Sequence, residues 1–440
     1  MSRPRRDRTR LLLAITSVAA VVSLAVAAFA LGSLNAAAPS IAPARVQEAG
    51  AGRADAAGRV PVKQVGTPAR VADYSFGHTL DRVEAGGGGD VEASMRLPFE
   101  LAVDATAFRV HVRNWQFNTE QSIDSPVTLT GVYVGEHRID GPDGQTGEFG
   151  TAPVEVSGTA NLAREGFVSG WIEPDTQLVA AHTPYLLSLG FTAPAGAILA
   201  TNPGLSWLAT GVGASTDAAA IGTPRAERSA DLSYFDVWIE YEFTGDAPVL
   251  LSIGHSLNAP GTLAPDEHPT RGEQTAWPQQ WAISNDAVAV SLAAPGSLSA
   301  LFAGGSELWQ QYGEELAPDV VTVWAASNDI ARGRQLADIQ NDWGAIVTRV
   351  RTQWPDATIY AMTEPPRSLS GAEESTRVAW NAWLSTLPYG LDRVIDADFL
   401  LRDPAQPDRL RSDVDADGIH FTARGHSLVA AQLPAPRHAR

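Results

Sequence analysis

The sequence predicts an all-β region, a sandwich or jelly roll, followed by an α/β region built on a parallel sheet with helices on both faces. Two patterns predict this. From about residue 72 to 247, apolar residues recur with period two between turn clusters, the signature of half-buried strands. After Ala247, short apolar runs alternate with helical stripes, and strands separated by helices belong to a parallel sheet.

The chain of 440 residues begins with Arg3, Arg5, Arg6, Arg8 and Arg10, then an uncharged apolar run from Leu11 to Leu31. Such a run is long enough to span a bilayer, and the arginines favour the cytoplasmic side. Residues 1–32 are therefore expected to be a signal peptide or an N-terminal membrane anchor, with the rest of the chain outside the cytoplasm, secreted or anchored. Ala36-Ala37-Ala38 offers small residues to a signal peptidase. Pro39 follows directly, however, and the run exceeds a usual signal core, so both fates stay open. Residues 33–71, rich in Ala, Pro, Gly and Arg without sustained periodicity, are expected to be a flexible linker.

In the β region, 72–247, "FRVHVRNW" sets Phe108, Val110 and Val112 on one face and Arg109, His111 and Arg113 on the other. "YFDVWIEYEF" alternates Phe235, Val237, Ile239, Tyr241 and Phe243 with Asp236, Trp238, Glu240 and Glu242. "DGPDGQTG" is one of the turn clusters between such runs. The run Gly86 to Gly89 lacks the Lys-Ser/Thr of a phosphate-binding loop and is expected to be a turn. Trp115, Trp171, Trp207 and Trp238 are expected in the core, with stacking on sugars as the alternative.

In the α/β region, 248–433, strands are expected at Val249–Ile253, Val288–Leu292, Val320–Trp324, Ile359–Met362 and Val394–Ile395. Helices are clearest at Leu336–Trp354 and Gly371–Leu387, the first with Ile339, Trp343, Ile346, Val347 and Val350 at helical spacing. Residues 434–440 form a tail. Ligands of such sheets sit beyond the carboxyl ends of the strands. There the sequence puts Ser256, Gly296, and Ser327-Asn328-Asp329, with Asp417 and His420 near the C-terminus. Each alone has an ordinary reading as a turn serine, a tight loop, a helix cap or a surface pair. Together their chemistry is complementary. A serine hydroxyl needs a base to take its proton, which His420 can be. Asp417 can fix the tautomer of that imidazole and stabilise its charged form. The backbone N–H groups of Ser256 and Gly296 and the amide of Asn328 can surround an oxyanion.

These blocks resemble the SGNH (GDSL) hydrolases. Gly254-His255-Ser256-Leu257 is similar to the family's Gly-Asp-Ser-Leu block. Gly296 matches its oxyanion glycine, Ala326-Ser327-Asn328-Asp329 its Gly-x-Asn-Asp block, and Asp417-Gly418-Ile419-His420 its Asp-x-x-His block. "TAWPQQWA", residues 275–282, looks like the helix start that often follows the first block. The resemblance implies an SGNH-type three-layer α/β/α sandwich and an exported serine esterase or acylhydrolase without a cofactor. Its catalytic residues would be Ser256, Asp417 and His420, and its oxyanion donors Ser256, Gly296 and Asn328. The substrate would be an ester, O-acetylated polysaccharide and lipid esters among the candidates. His255 stands where the family has Asp, and Ala326 where it has Gly. A catalytically impaired hydrolase fold acting as a cell-surface carbohydrate- or ligand-binding protein is the alternative. His255 is expected to neighbour Ser256 without serving as its base, because adjacent side chains at a strand end point apart and no orienting partner is evident for it.

Other classes are disfavoured. A net charge of -18 does not suit a nucleic-acid binder, and membrane contact is expected only through the N-terminal segment. The absence of cysteine removes disulfides and thiolate sites. "DVDADG", Asp413 to Gly418, begins like a calcium loop, but its twelfth position is Arg424 rather than Glu. His111, His182 and His268 show no metal spacing. No metal and no cofactor are expected.

Overall fold

In the Ala107–Arg113 strand, Phe108, Val110 and Val112 are buried while Arg109, His111 and Arg113 keep partial exposure. Asp236–Phe243 pairs antiparallel with it, Val237 opposite Val112 and Ile239 opposite Val110. Arg70–Ser75 and Phe167–Val168 flank this pair to make a four-stranded sheet. A larger antiparallel sheet has Tyr185–Ala193 at its centre, between Thr128–Ile139 and Val91–Phe99. The two sheets meet where Tyr74 and Phe76 pack on Phe99, with ring centroids 5.9 and 5.8 Å apart. Trp115, Trp207 and Trp238 are buried in this region, and Trp171 receives the Arg109 guanidinium on its face at 4.7 Å.

This computed structural model describes residues 69–434 apart from short stretches, the longest being 260–275. The N-terminal apolar run, nearly all of the linker, His268, Gly86 to Gly88 and the last six residues lie outside the described residues. Among the described residues, no helix is long and apolar enough to cross a membrane.

The α/β region is built on a sheet of five strands, all parallel, in the order Val288–Ala293, Val249–Gly254, Val320–Trp324, Thr358–Met362, Arg393–Ile395. The first strand in sequence therefore lies second in the sheet. From it the chain winds once to the edge and then back across, so its carboxyl end is the switch point where such sheets open a crevice. One face buries Leu251, Ile253, Val290, Val321 and Val323 against Ile339, Trp343, Ile346 and Val350 of the Leu336–Gln353 helix. The other buries Leu250, Val320 and Trp324 with Trp277 and Trp281 of the Trp277–Asn285 helix and Val429 of the Ala423–Ala430 helix. The helix expected over Gly371–Leu387 starts as expected, with a Ser370/Glu373 capping box, and stops at Leu384. Leu387 is left-handed, at φ 53°, and precedes Pro388, which disfavours helix in the residue before it.

Val65–Arg440 forms one compact unit holding both regions. The first strand begins at Arg70, inside the stretch expected as linker. Its guanidinium donates to the carbonyls of Ala247 and Ala317, 2.8 Å each, and pairs with Asp319 at 3.1 Å. Deeper in the joint, His78 lies 3.0 Å from Asp236 Oδ1 and 3.1 Å from the Ser291 carbonyl of the parallel sheet. Arg113 donates to the other oxygen of Asp236, which is fully buried. Burial alone raises this carboxyl, but Arg113 and His78 outweigh it and hold it below the ordinary carboxylate range. Asp236→Asn keeps the volume and removes the charge those two groups face. It should cost about 3–5 kcal/mol, read as a lower denaturant midpoint; an unchanged midpoint would remove Asp236 from the forces that join the two regions.

Candidate active site

The Val249–Gly254 strand is buried on both faces, which is why it reads as an unbroken apolar run with one serine. It ends at glycine for steric reasons. A Cβ on Gly254 would come within 2.1 Å of the Trp324 carbonyl oxygen and 2.5 Å of the Asn258 amide. The turn that follows is pinned. The N–H groups of Asn258 and Ala259 donate to the His255 carbonyl at 2.9 and 3.1 Å. The Asn258 side chain donates to the Ile253 carbonyl at 3.0 Å and accepts from the Trp277 indole at 3.2 Å. Ser256 stands on this turn, 7% exposed.

His420 meets it from a loop 164 residues further along the chain, its Nε2 2.9 Å from Ser256 Oγ. The other ring nitrogen, Nδ1, lies 2.8 Å from Asp417 Oδ2. Asp417 Oδ1 also accepts the backbone N–H groups of Ile419 and His420, at 2.9 and 2.7 Å. Burial alone raises the Asp417 carboxyl, but the hydrogen bonds from the His420 ring and backbone outweigh it and hold the group below the ordinary carboxylate range. An ionised carboxylate at Nδ1 fixes that nitrogen as the donor and leaves Nε2 as an acceptor for the serine proton. The remaining acids of this loop are engaged elsewhere. Asp413 pairs with Arg411 and Arg424 at 2.6 and 3.0 Å, and Asp415 accepts the Gly418 N–H. Among the described residues no cluster of His, Asp or Glu has the arrangement of a metal site.

Gly296 and Asn328 come to the same sheet edge. The strand before Gly296 pairs with the Ser256 strand, Ala293 opposite Gly254, and the Ala294 N–H donates to the Gly254 carbonyl at 3.2 Å. Gly296 itself has φ 73°, a left-handed turn that favours glycine. Asn328 ties to this turn through its Nδ2, which donates to the Ser297 carbonyl at 3.1 Å. Asp329, fully buried, accepts the backbone N–H and hydroxyl of Ser299, 2.9 Å each, and holds the far end of the same loop. The β region reaches this edge too, Asn118 lying 3.4 Å from the Ser297 hydroxyl and Glu120 accepting the Leu308 N–H at 3.0 Å.

His255 points away from the Ser256–His420 pair, into the interior, 1% exposed. Its Nδ1 accepts the Leu257 N–H at 3.4 Å. Its Nε2 lies 3.6 Å from Glu364 Oε1, beyond hydrogen-bond reach, so among the described residues no carboxylate orients this ring as Asp417 orients His420. Glu364, also 1% exposed, accepts from the Trp324 indole at 3.0 Å and the Ala326 N–H at 2.9 Å. His111 and His182, by contrast, have carboxylate partners, Glu240 at 2.6 Å and Asp286 at 2.8 Å.

The sequence reading missed Glu364, Arg367 and His426. Glu364-Pro365-Pro366-Arg367 leaves the carboxyl end of the Thr358–Met362 strand, so the rule that led to Ser256 also pointed there. His426 carried no signal. It is 1% exposed, and its Nδ1 accepts the Trp277 N–H at 3.1 Å, joining the last helix to the first. Burial, with a smaller repulsion from His420, pushes its imidazole from the ordinary 6.5 down to about 3. The unfolded chain therefore binds a proton below pH 6.5 that the folded protein refuses until about pH 3. The stability from keeping His426 neutral is complete above the upper value and declines as pH falls toward the lower one, at most about 1.4 kcal/mol per pH unit. His426→Gln, which can still accept the Trp277 N–H, should flatten the loss of stability on acidification. Denaturant midpoints between pH 4 and 7, about the window of this titration, read this; equal slopes in parent and variant would deny His426 the role.

A hydroxyl, an imidazole and a carboxylate in line at the switch point of a parallel sheet are the equipment of a hydrolase. Residues 252–428 match the model of the GDSL-like lipase/acylhydrolase family. Solved structures to which the chain is similar include a putative lipolytic protein of the G-D-S-L family from Desulfitobacterium hafniense DCB-2, at 14% identity and TM-score 0.33, covering 42% of this chain and 96% of that one. A family two carbohydrate esterase from Clostridium thermocellum, solved with cellohexaose, is 13% identical at TM-score 0.35, covering 81% of this chain and 91% of that one. The psychrotrophic esterase EstA from a Pseudoalteromonas species is 15% identical at TM-score 0.31, covering 42% and 93%. Among curated proteins, none matches the chain.

Proposed function

We propose that the protein is an exported serine esterase that hydrolyses carboxylic esters through an acyl-Ser256 intermediate. The observation that carries this reading is the unbroken line from Ser256 Oγ to His420 Nε2 and from His420 Nδ1 to Asp417, with contacts of 2.9 and 2.8 Å. His420 Nε2 takes the hydroxyl proton as Ser256 Oγ bonds to the ester carbonyl carbon. The carbonyl oxygen becomes an oxyanion, which the N–H groups of Ser256 and Gly296 and the Asn328 amide stabilise. When the oxyanion collapses, the carbon–oxygen bond to the alcohol breaks, and the alcohol leaves with the proton held on His420. Water then gives a proton to His420 and attacks the acyl carbon, releasing the acid and returning the proton to Ser256. Asp417 stays ionised throughout and stabilises the imidazolium. Export is supported by the arginine-flanked apolar run Leu11 to Leu31, with the β region beside the sheet edge shaping access to the crevice.

The test uses the purified chain from residue 65 onward, which spans the compact unit. It is treated with a serine-reactive fluorophosphonate, the labelled peptide is mapped, and hydrolysis of a chromogenic short-chain ester is followed. Label on Ser256 together with ester turnover supports the reading. Neither label nor turnover overturns it and favours a binding protein on a decayed hydrolase fold. O-acetylated polysaccharide and lipid esters are the two natural classes to assay.

A further inference from the structure

We infer that Arg367 is the positioning residue of the oxyanion amide: it sets which way Asn328 faces and strengthens the N–H that Asn328 offers. The inference rests on the esterase reading above and concerns a residue outside the four sequence blocks. Arg367 Nη1 donates to Asn328 Oδ1 at 3.0 Å and to the Ser327 hydroxyl at 3.0 Å. On its other side the same amide donates from Nδ2 to the Ser297 carbonyl at 3.1 Å. Both partners are one-way. A guanidinium can only donate and a carbonyl can only accept, so a flipped amide would face a donor with donors and an acceptor with an acceptor. The pair of contacts therefore decides the orientation. Nδ2 has two hydrogens and spends one on Ser297, which leaves one for an oxyanion. A cation bonded to the amide oxygen draws electron density from the nitrogen, and hydrogen bonds in such a chain strengthen one another.

Arg367 is itself held firmly. It follows Pro365 and Pro366, whose rings restrict the backbone. The Glu364 backbone is clamped from both sides by Asn381, which accepts its N–H at 2.8 Å and donates to its carbonyl at 2.9 Å, and Arg377 donates to the same carbonyl at 2.7 Å. The Glu364 carboxylate accepts the Ala326 N–H at 2.9 Å. One short segment thus grips Ala326, Ser327 and Asn328 in succession. No carboxylate lies within ion-pair distance of Arg367 among the described residues, so its Nη1 is committed to Ser327 and Asn328 rather than to a salt bridge. Glu364 and Asp417 act on it only from further away, and burial still lowers the guanidinium from its ordinary range.

The test is a double-mutant cycle on ester turnover, using the chain from residue 65 onward, with Arg367→Met and Asn328→Ala made singly and together. Arg367→Met should lower kcat by about tenfold or more and leave KM within about twofold. On the Asn328→Ala background the same change should cost less than about twofold, because nothing remains to be positioned. Arg367→Lys, which keeps one donor and the charge, should fall between parent and Met and serves if the Met variant does not fold. Equal losses in both backgrounds, or no loss, would overturn the inference while leaving the esterase reading intact. A rise in KM alone would also overturn it and make Arg367 a substrate-binding group. A parent with neither turnover nor fluorophosphonate label would remove both.

Discussion

Ser256→Ala is expected to lower kcat/KM for an activated short-chain ester by about 10³-fold or more, and His420→Ala by a similar factor. The two side chains make one device, since the hydroxyl is a poor nucleophile until Nε2, 2.9 Å away, removes its proton. For that reason the double variant should be scarcely worse than either single one, because residues that act as a unit do not contribute additively. Neither change should unfold the protein. Ser256 sits on a turn held by Asn258, Ala259 and Trp277, so the thermal midpoint of Ser256→Ala should stay near that of the parent. Steady-state kinetics and fluorophosphonate labelling on the same preparations read both points. An active parent whose Ser256→Ala variant keeps its activity would end the nucleophile assignment.

Asn328→Ala should lower kcat by about 10²–10³ with little change in KM. The effect depends on when charge develops. The ester carbonyl oxygen bears little charge when substrate binds and a full negative charge in the tetrahedral intermediate, so a donor aimed at it contributes mainly to the transition state. In the proposed mechanism the second hydrogen of Nδ2 is that donor, the first being spent on Ser297. The substitution also removes the acceptor of Arg367, a guanidinium only partly exposed, so a modest loss of stability should accompany the kinetic one. A variant with raised KM and unchanged kcat would make Asn328 a ground-state binding residue instead.

Much of the architecture was legible because the relevant forces are local. Period two in "FRVHVRNW" and helical spacing from Ile339 to Val350 report which side of a strand or helix meets the core, and neighbours in sequence suffice to read them. The end of the Gly371 helix was misjudged by three residues. Leu387 looks like one more apolar position, and Pro388 beyond it decides the matter through backbone sterics. The strand at Arg70 was missed by two residues because its pairing with Phe243 and its bond to Ala317 involve partners far along the chain.

Of the site, the sequence alone determined the candidates: Ser256, Gly296, Asn328, Asp417 and His420, each after an apolar run or before the last helix, and each with a chemistry the others complete. What brought them together was the order of the parallel strands. Val288–Ala293 goes to one side of Val249–Gly254 and Val320–Trp324 to the other, and no local pattern encodes that choice. Only the folded chain could then show that His420 reaches Ser256 across 164 residues, that His255 is buried beside Glu364, and that Arg367 donates to the Asn328 amide oxygen. Periodicity records how a residue meets the core. Contacts between loop side chains depend on where remote strands end, and the sequence carries that only through the fold.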